Sequence, residues 1–315
     1  MAPLLELAAD VDERLLFRRQ AWARPTGWGD FARFVRALRA REFDAVLDLQ
    51  GLGRSGLLTA LARAPIKAGF ADARELAWLA YRHRVVLPAG VTHAVERNLA
   101  LADAALAVGR EYEPPRLRVP PAAATRAGEL LATHRLGGDL PLLAVAPAAR
   151  WAAKTWPVAF FADVIGRVMR DAGRPIGVWL LGAPDERAVG AALAAARPGV
   201  VDLIGQTSLA ELVALLRRSS VLLTNDSGPM HLAAALGCPT VAMFGPTDPA
   251  KVGPYGEGHR VFQTRVSCAP CRQRRCPLPR QLCLDDVITP AGVAAAVVSR
   301  LGTDAHGPAR TDTAG

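Results

Sequence analysis

Asp226, Ser227, Gly228 and His231 lie in the segment TNDSGPMH, behind the short apolar run Val221-Leu222-Leu223. A run of that length reads as a buried parallel strand. The turn formers after it start a helix over residues 230–236, which Gly237 and Pro239 stop. Such a helix start presents unpaired backbone N–H groups and the positive end of the helix dipole, which suits a phosphate. Ser227 and His231 are four apart, share one helix face and can both point at that ligand. A plainer reading stands beside this one, with Asp226 as a helix cap and His231 as a packed polar residue. Residues 240–244 form a second apolar strand, closed by Gly245-Pro246-Thr247-Asp248-Pro249. Strand, polar loop, helix, strand is half of a nucleotide-binding sheet. Its two loops fall at the carboxyl ends of neighbouring parallel strands, where open α/β sheets bind ligands.

The rest of the chain supplies the elements such a sheet needs. Strands are expected at residues 44–49, 66–69 and 84–87, with helices at 30–41, 57–63, 72–81 and 92–108. A polar, proline-bearing link follows at 111–121. Beyond it, strands at 142–146, 176–181 and 200–203 alternate with helices at 122–135, 157–172, 184–196 and 208–217. Alternation on both sides of a link predicts two α/β units with parallel sheets. The boundaries read as residues 1–120, 121–290, and a C-terminal helix and disordered tail over 291–315. Gly51-Leu52-Gly53-Arg54-Ser55-Gly56 resembles part of a dinucleotide fingerprint but lacks its full spacing and acidic partner.

Composition narrows the class. The chain has 315 residues and a net charge of +9, spread as arginine along its length. No apolar run reaches the ~18 residues of a membrane span. The first residues, MAPLLELAADVDERLL, are acidic where a signal peptide is basic, which points to a cytoplasmic protein. Positive charge suits an anionic partner: nucleic acid, phosphorylated glycolipid or an acidic membrane face. Nucleic acid is set aside, because no recognised binding motif or aromatic stacking pattern accompanies the charge.

The ordered motifs resemble the lipopolysaccharide heptosyltransferases, the ADP-heptose-using glycosyltransferase family 9. In the first half these are Asp44-Ala-Val-Leu-Asp-Leu-Gln50-Gly51 with Arg54-Ser55, Gly69-Phe70 with Arg74-Glu75, and His93-Ala94-Val95-Glu96-Arg97. In the second half they are Lys154-Thr155-Trp156-Pro157, Gly182-Ala183-Pro184-Asp185-Glu186, Ser208-Leu209, Asn225–His231 and Phe244–Pro249. The resemblance implies a GT-B-like fold of two Rossmann-like domains, with the N-terminal, acceptor-side domain incomplete. It implies inverting transfer of heptose from ADP-heptose to the inner core of lipopolysaccharide, with no required cofactor. The protein would then sit in the cytoplasm or peripherally on the inner membrane. On the donor side it points to Lys154, Glu186, Ser208, Asp226, Ser227, Gly228 and His231. Lys154 would act as a point charge on the phosphates. The helix start would stabilise the leaving group, His231 would donate to a phosphate or the sugar, and Glu186 would accept from a ribose hydroxyl. Plainer roles are a solvated Lys154 and a Glu186 that serves the helix dipole. Arg54, Arg74, Arg82 and Arg97 are acceptor candidates, because guanidinium forks fit carboxylates and phosphates. A surface role for Arg97 is the alternative.

One family feature has no counterpart. The family opens with a strand and a glycine-rich turn ending in the aspartate thought to be the general base, and no such strand precedes Asp44. Asp30, in Gly27-Trp28-Gly29-Asp30, reads as a helix cap instead. The catalytic base is therefore unassigned. The start is read as mis-assigned or as that of a truncated paralogue, and the 315-residue chain is expected to bind ADP but transfer poorly. A non-transferring nucleotide-binding homologue is thus the competing reading. Of five cysteines, Cys238 reads as packed, while Cys268, Cys271, Cys276 and Cys283 make a four-thiol cluster that suits structural zinc. The irregular spacing favours reduced thiols over a bound metal.

Overall fold

The computed structural model describes residues 2–18, 22, 27–264, 266–279, 281–285 and 288–302. The expected disordered tail, and most of the Trp/Arg-rich stretch before Gly27, lie outside these residues. Helix α1 (Ala2–Leu7) is followed by an antiparallel bridge from Ala8 to Leu117. Residues Pro3–Asp10 therefore join the unit that begins again at Pro114, and Val11–Glu113 form the other. The division differs from the expected one in three ways. It falls at 113/114, the first residues belong to the second unit, and the C-terminal helix packs into that unit's core.

The N-terminal unit runs α2 (Trp28–Arg39), β1 (Ala45–Asp48), α3 (Gly53–Leu61), β2 (Ile66–Phe70), β3 (His83–Val85) and α4 (Ala94–Leu106). Its three described strands pair in parallel in the order β1-β2-β3. The turn after β1 hangs on Asp48, which is 5% exposed. Oδ1 accepts from the N–H groups of Gln50 and Gly51, both at 3.0 Å, and Oδ2 accepts from the Tyr81 hydroxyl at 2.6 Å. Tyr81 reaches Asp48 only because β2 carries Gly69, where a Cβ would stand 2.3 Å from the ring. Burial, then the bond to Asp48, holds the Tyr81 phenol far above its ordinary range. Tyr81→Phe leaves Asp48 Oδ2 without its donor. It is expected to lower stability by about 1–3 kcal/mol in a denaturant titration; an unchanged midpoint would contradict this reading of the turn.

The helix expected over 72–81 does not form. Glu75 and Leu76 are left-handed, at φ 54° and 59°, and only a 3₁₀ turn, Ala77–Ala80, follows. Tertiary contacts outweigh helix propensity there. Glu75 Oε2 accepts from the Gly53 N–H at 3.0 Å, at the start of α3, and Gly56 packs on Ala77 so tightly that a Cβ would lie 2.7 Å from its Cα.

The second unit continues α5 (Pro121–Thr133), β4 (Leu142–Ala146), α6 (Val158–Asp171), β5 (Gly177–Leu180), α7 (Arg187–Ala196) and β6 (Val200–Asp202). Then come α8 (Leu209–Arg218), β7 (Val221–Asn225), α9 (Gly228–Ala235), β8 (Thr240–Phe244), α10 (Pro249–Val252), β9 (Arg260–Gln263), α11 (Leu282–Asp285) and α12 (Pro290–Gly302). All residues of β4, β7 and β8 are buried, as their unbroken apolar runs require when helices cover both faces. On one face α6 presents Phe161, Val164, Ile165 and Val168, one helical stripe, against Val293, Val297 and Leu301 of α12. On the other, Leu130 and Leu131 of α5 meet Val213, Leu215 and Leu216 of α8.

The six strands are all parallel, in the order β6-β5-β4-β7-β8-β9. Counted from β4, this is the 3-2-1-4-5-6 order of dinucleotide-binding sheets. The order reverses between β4 and β7, so the crevice for a ligand opens at the carboxyl ends of those two strands.

Candidate nucleotide site

Two loops meet at that reversal point. The loop after β4 carries Trp151, Lys154 and Trp156; the loop after β7 carries Asp226 and Ser227. Asn225, the last residue of β7, joins them. Its Oδ1 accepts from the Trp156 N–H at 3.0 Å, and its Nδ2 donates to the Pro147 carbonyl at 2.7 Å. Trp156 is fully buried, packs edge-on against Phe160 and Phe161, and donates from Nε1 to the Leu284 carbonyl at 2.9 Å. With both ends of the loop tied, the 3₁₀ turn Ala152–Lys154 aims its lysine at β7.

Lys154 Nζ lies 2.6 Å from Asp226 Oδ2 and 4.5 Å from the centre of the Trp151 ring. The Thr247 hydroxyl, from the loop after β8, donates to the same Oδ2 at 2.6 Å. The lysine and aspartate side chains are only 17% and 5% exposed. The cap reading of Asp226 is corrected here, because its carboxylate faces Lys154 and Thr247. Ser227 occupies the N-cap position of α9, but its Oγ sits 2.9 Å from Thr224 Oγ1 and no side chain caps the helix. His231 is exposed one turn along α9. The result is a fixed ammonium beside an uncapped helix start, at the point of the sheet where dinucleotides bind.

Comparison with known proteins decides the family. The family model described as glycosyltransferase family 9 (heptosyltransferase) matches residues 31–281. This chain belongs to glycosyltransferase family 9. It is 32% identical over 250 residues to lipopolysaccharide heptosyltransferase 1 of Pseudomonas aeruginosa, covering 79% of this chain and 67% of that protein. It is 33% identical over 242 residues to the enzyme of the same name from Salmonella typhimurium, covering 76% and 73%. Among solved structures, E. coli heptosyltransferase WaaC with ADP superposes with a TM-score of 0.71 at 28% identity, covering 95% of this chain and 87% of that one. The two all-parallel α/β units have the GT-B-like architecture that the sequence motifs implied.

The other residues expected in this family 9 chain fall in more varied places. Glu186 ends the 3₁₀ turn after β5 and accepts from the Ala183 N–H at 2.8 Å. Gly182 makes room for it, since a Cβ there would lie 2.4 Å from its Oε2. Burial raises its carboxyl above the ordinary 4.5, opposed by the Ala183 N–H and aided by Asp185. The folded protein thus keeps this proton to higher pH than the unfolded chain. Stability falls as pH climbs from 4.5 through the folded value, and Glu186→Gln removes that slope. Melting curves of both forms between about pH 4 and 7 test it; a pH-independent difference between them would contradict it.

Ser208 caps α8. Its Oγ accepts from the Glu211 N–H at 3.3 Å while Glu211 Oε2 accepts from the Ser208 N–H at 2.6 Å. This is a reciprocal capping box, legible in Ser208-Leu-Ala-Glu211. In the N-terminal unit Arg54 sits on the first turn of α3, and exposed Arg74 donates its backbone N–H to the Gly51 carbonyl at 2.9 Å. Both therefore stand near the end of β1. Arg97 grips both oxygens of Asp72 at 3.0 Å and stacks over the Phe70 ring at 4.8 Å.

The cysteine stretch braces the Lys154 loop. The Ala153 N–H donates to the Arg274 carbonyl at 3.2 Å, Gln281 Nε2 donates to the Ala153 carbonyl, and the Arg272 N–H donates to the Pro246 carbonyl at 2.8 Å. Cys268 and Cys271 are exposed, Cys276 is half-buried and Cys283 is buried. Burial, then the charge of the three other sulfurs, pushes the Cys283 thiol up to about 11. Among the described residues no group of three or more His, Cys, Asp or Glu is placed to hold a metal ion. Asn225 and Thr247 fall inside the quoted motifs without a role of their own, and Trp151 carries no signal in the sequence. Their roles depend on loops that only the fold brings together.

Proposed function

We propose that this protein transfers heptose, with inversion, from ADP-heptose to the inner core of lipopolysaccharide. The Lys154–Asp226 pair beside the uncapped start of α9, at the reversal point of the sheet, carries the reading. Solved relatives support it, among them WaaC with ADP and WaaC with ADP-2-deoxy-2-fluoro heptose. As the glycosidic bond to ADP breaks, negative charge grows on the diphosphate. Lys154 and the N–H groups at the start of α9 meet that charge from positions fixed beforehand, so little reorganisation is needed at the moment of reaction. Asp226 and Thr247 hold the lysine in place until the phosphates share it. His231, on the same helix, reaches toward the phosphates or sugar, and Glu186 toward the ribose. Arg54 and Arg74 serve the anionic acceptor. Asp48 is unsuited to be the base, since both its oxygens already accept hydrogen bonds and it is 5% exposed.

Incubating the purified protein with ADP-heptose and heptose-free inner-core acceptor tests the proposal. Release of ADP matched by heptosylated product supports it. ADP binding without product would favour the non-transferring homologue.

The acceptor is a glycolipid, so the protein is placed at the cytoplasmic face of the inner membrane, in peripheral contact. No helix among the described residues is long and apolar enough to cross a membrane. Zinc at the four cysteines is a separate proposal that rests on ligand type alone, because thiolates suit zinc, while their placement among the described residues forms no ready metal site. Stoichiometric zinc that a chelator removes supports it; metal-free protein as purified overturns it.

A further inference from the structure

An apolar groove in the N-terminal unit faces solvent between α3 and the 3₁₀ turn Ala77–Ala80. Leu57, Leu76 and Leu79 line it, with buried Gly56 and Ala77 at its floor. The three leucines are 53%, 64% and 62% exposed, side by side, where single exposed apolar residues would be unremarkable. Leu76 stands there on a left-handed backbone, a conformation disfavoured for any residue with a Cβ.

Cations surround the groove. Lys67 Nζ donates to the Ala60 carbonyl at 2.9 Å, and Arg82 to the Pro65 carbonyl at 3.4 Å. Arg84 donates to the Trp78 carbonyl at 3.1 Å and stacks over the Trp78 ring at 4.6 Å. These contacts are all to carbonyls, not carboxylates. Between Gly53 and Val85 there are six Lys or Arg residues against two acids. One acid, Asp72, is committed to Arg97, and the other, Glu75, accepts from the Gly53 N–H. The crowding shows in Lys67, whose ammonium is held below its ordinary range by burial and then by the Arg82 and Arg39 charges.

We infer that this face docks on an anionic phospholipid bilayer, with Leu57, Leu76 and Leu79 entering the headgroup boundary and Lys67, Arg82 and Arg84 contacting lipid phosphates. Exposed aliphatic side chains, an interfacial tryptophan and a basic rim together suit such a surface. A second copy of the same face is disfavoured, because a two-fold contact would bring like charges together. The inference rests on the proposed glycolipid acceptor, which brings the enzyme to a membrane, and it names the surface that makes the contact.

Co-sedimentation of the full chain with phosphatidylcholine vesicles, with and without phosphatidylglycerol, tests it. Binding is expected only with the anionic lipid, weakening as salt rises. Leu76→Ser/Leu79→Ser and Lys67→Glu/Arg84→Glu are each expected to reduce partitioning by about tenfold or more, with unchanged circular dichroism and thermal melting of the full chain as the check on folding. Absent vesicle binding overturns the inference, as does binding that either pair leaves unchanged. Self-association through the leucines without vesicle binding overturns it too. Transfer to detergent-dispersed acceptor, measured separately, keeps the two proposals apart: lost transfer with intact vesicle binding counts against the proposed function alone.

Discussion

Lys154→Ala is expected to bind ADP at least about tenfold more weakly than the natural protein and to transfer heptose about 10²–10³-fold more slowly. Lys154 is the part-buried cation of the loop after β4, held against Asp226 at the place where the strand order reverses. Its removal has a second effect, because Asp226, 5% exposed, keeps among the described residues only the Thr247 hydroxyl as a charge-stabilising partner. Breaking a buried pair from one side costs about 3–5 kcal/mol. The partial exposure of Lys154 puts the expected loss at the lower end of that range. The two effects separate in the double variant Lys154→Met/Asp226→Asn. It removes the stranded carboxylate and should recover most of the stability while ADP affinity stays low. Titration calorimetry with ADP, beside thermal melts, reads both. An unchanged ADP affinity in Lys154→Ala would remove the lysine from the site.

Trp156→Ala is expected to lose about 3–5 kcal/mol of stability, the usual cost of emptying a fully buried tryptophan site. The ring packs on Phe160 and Phe161 and donates to Leu284, so one side chain ties the Lys154 loop to the stretch that carries the cysteines. Trp156→Phe keeps most of the volume but orphans the Leu284 carbonyl, and should cost about 1–3 kcal/mol. ADP affinity should fall further in the alanine variant than in the phenylalanine one, because Asn225 then holds a loop with nothing packed beneath it. Denaturant unfolding and ADP titration check the order. An alanine variant as stable as the natural protein would contradict the role given to Trp156.

Much of the donor half was legible in the sequence, because its strands are unbroken apolar runs and its loops carry strong helix starts and stops. The strand–loop–helix of β7 and α9 is one such case. The capping box at Ser208 and Glu211 was also readable, though it points to a helix cap more than to a ligand. Asp226 was harder. An acidic residue ahead of Ser-Gly at a helix start matches cap chemistry, and its real partners, Lys154 and Thr247, come from two other loops that only the sheet order brings together. The 72–81 stretch has helical composition, yet Glu75 turns back to the start of α3 and leaves two left-handed residues. β9 escaped notice because, as a half-exposed edge strand of Arg-Val-Phe-Gln, it lacks an apolar run. The domain ends were blurred for a similar reason, since the bridge from Ala8 to Leu117 joins segments far apart in the chain.

A crystal structure of the chain with ADP is the most direct measurement. The diphosphate is expected within hydrogen-bond reach of Lys154 Nζ and of the backbone N–H groups at the start of α9, between the carboxyl ends of β4 and β7. ADP bound elsewhere, or at that crevice with Lys154 still paired only to Asp226, would contradict the assignment.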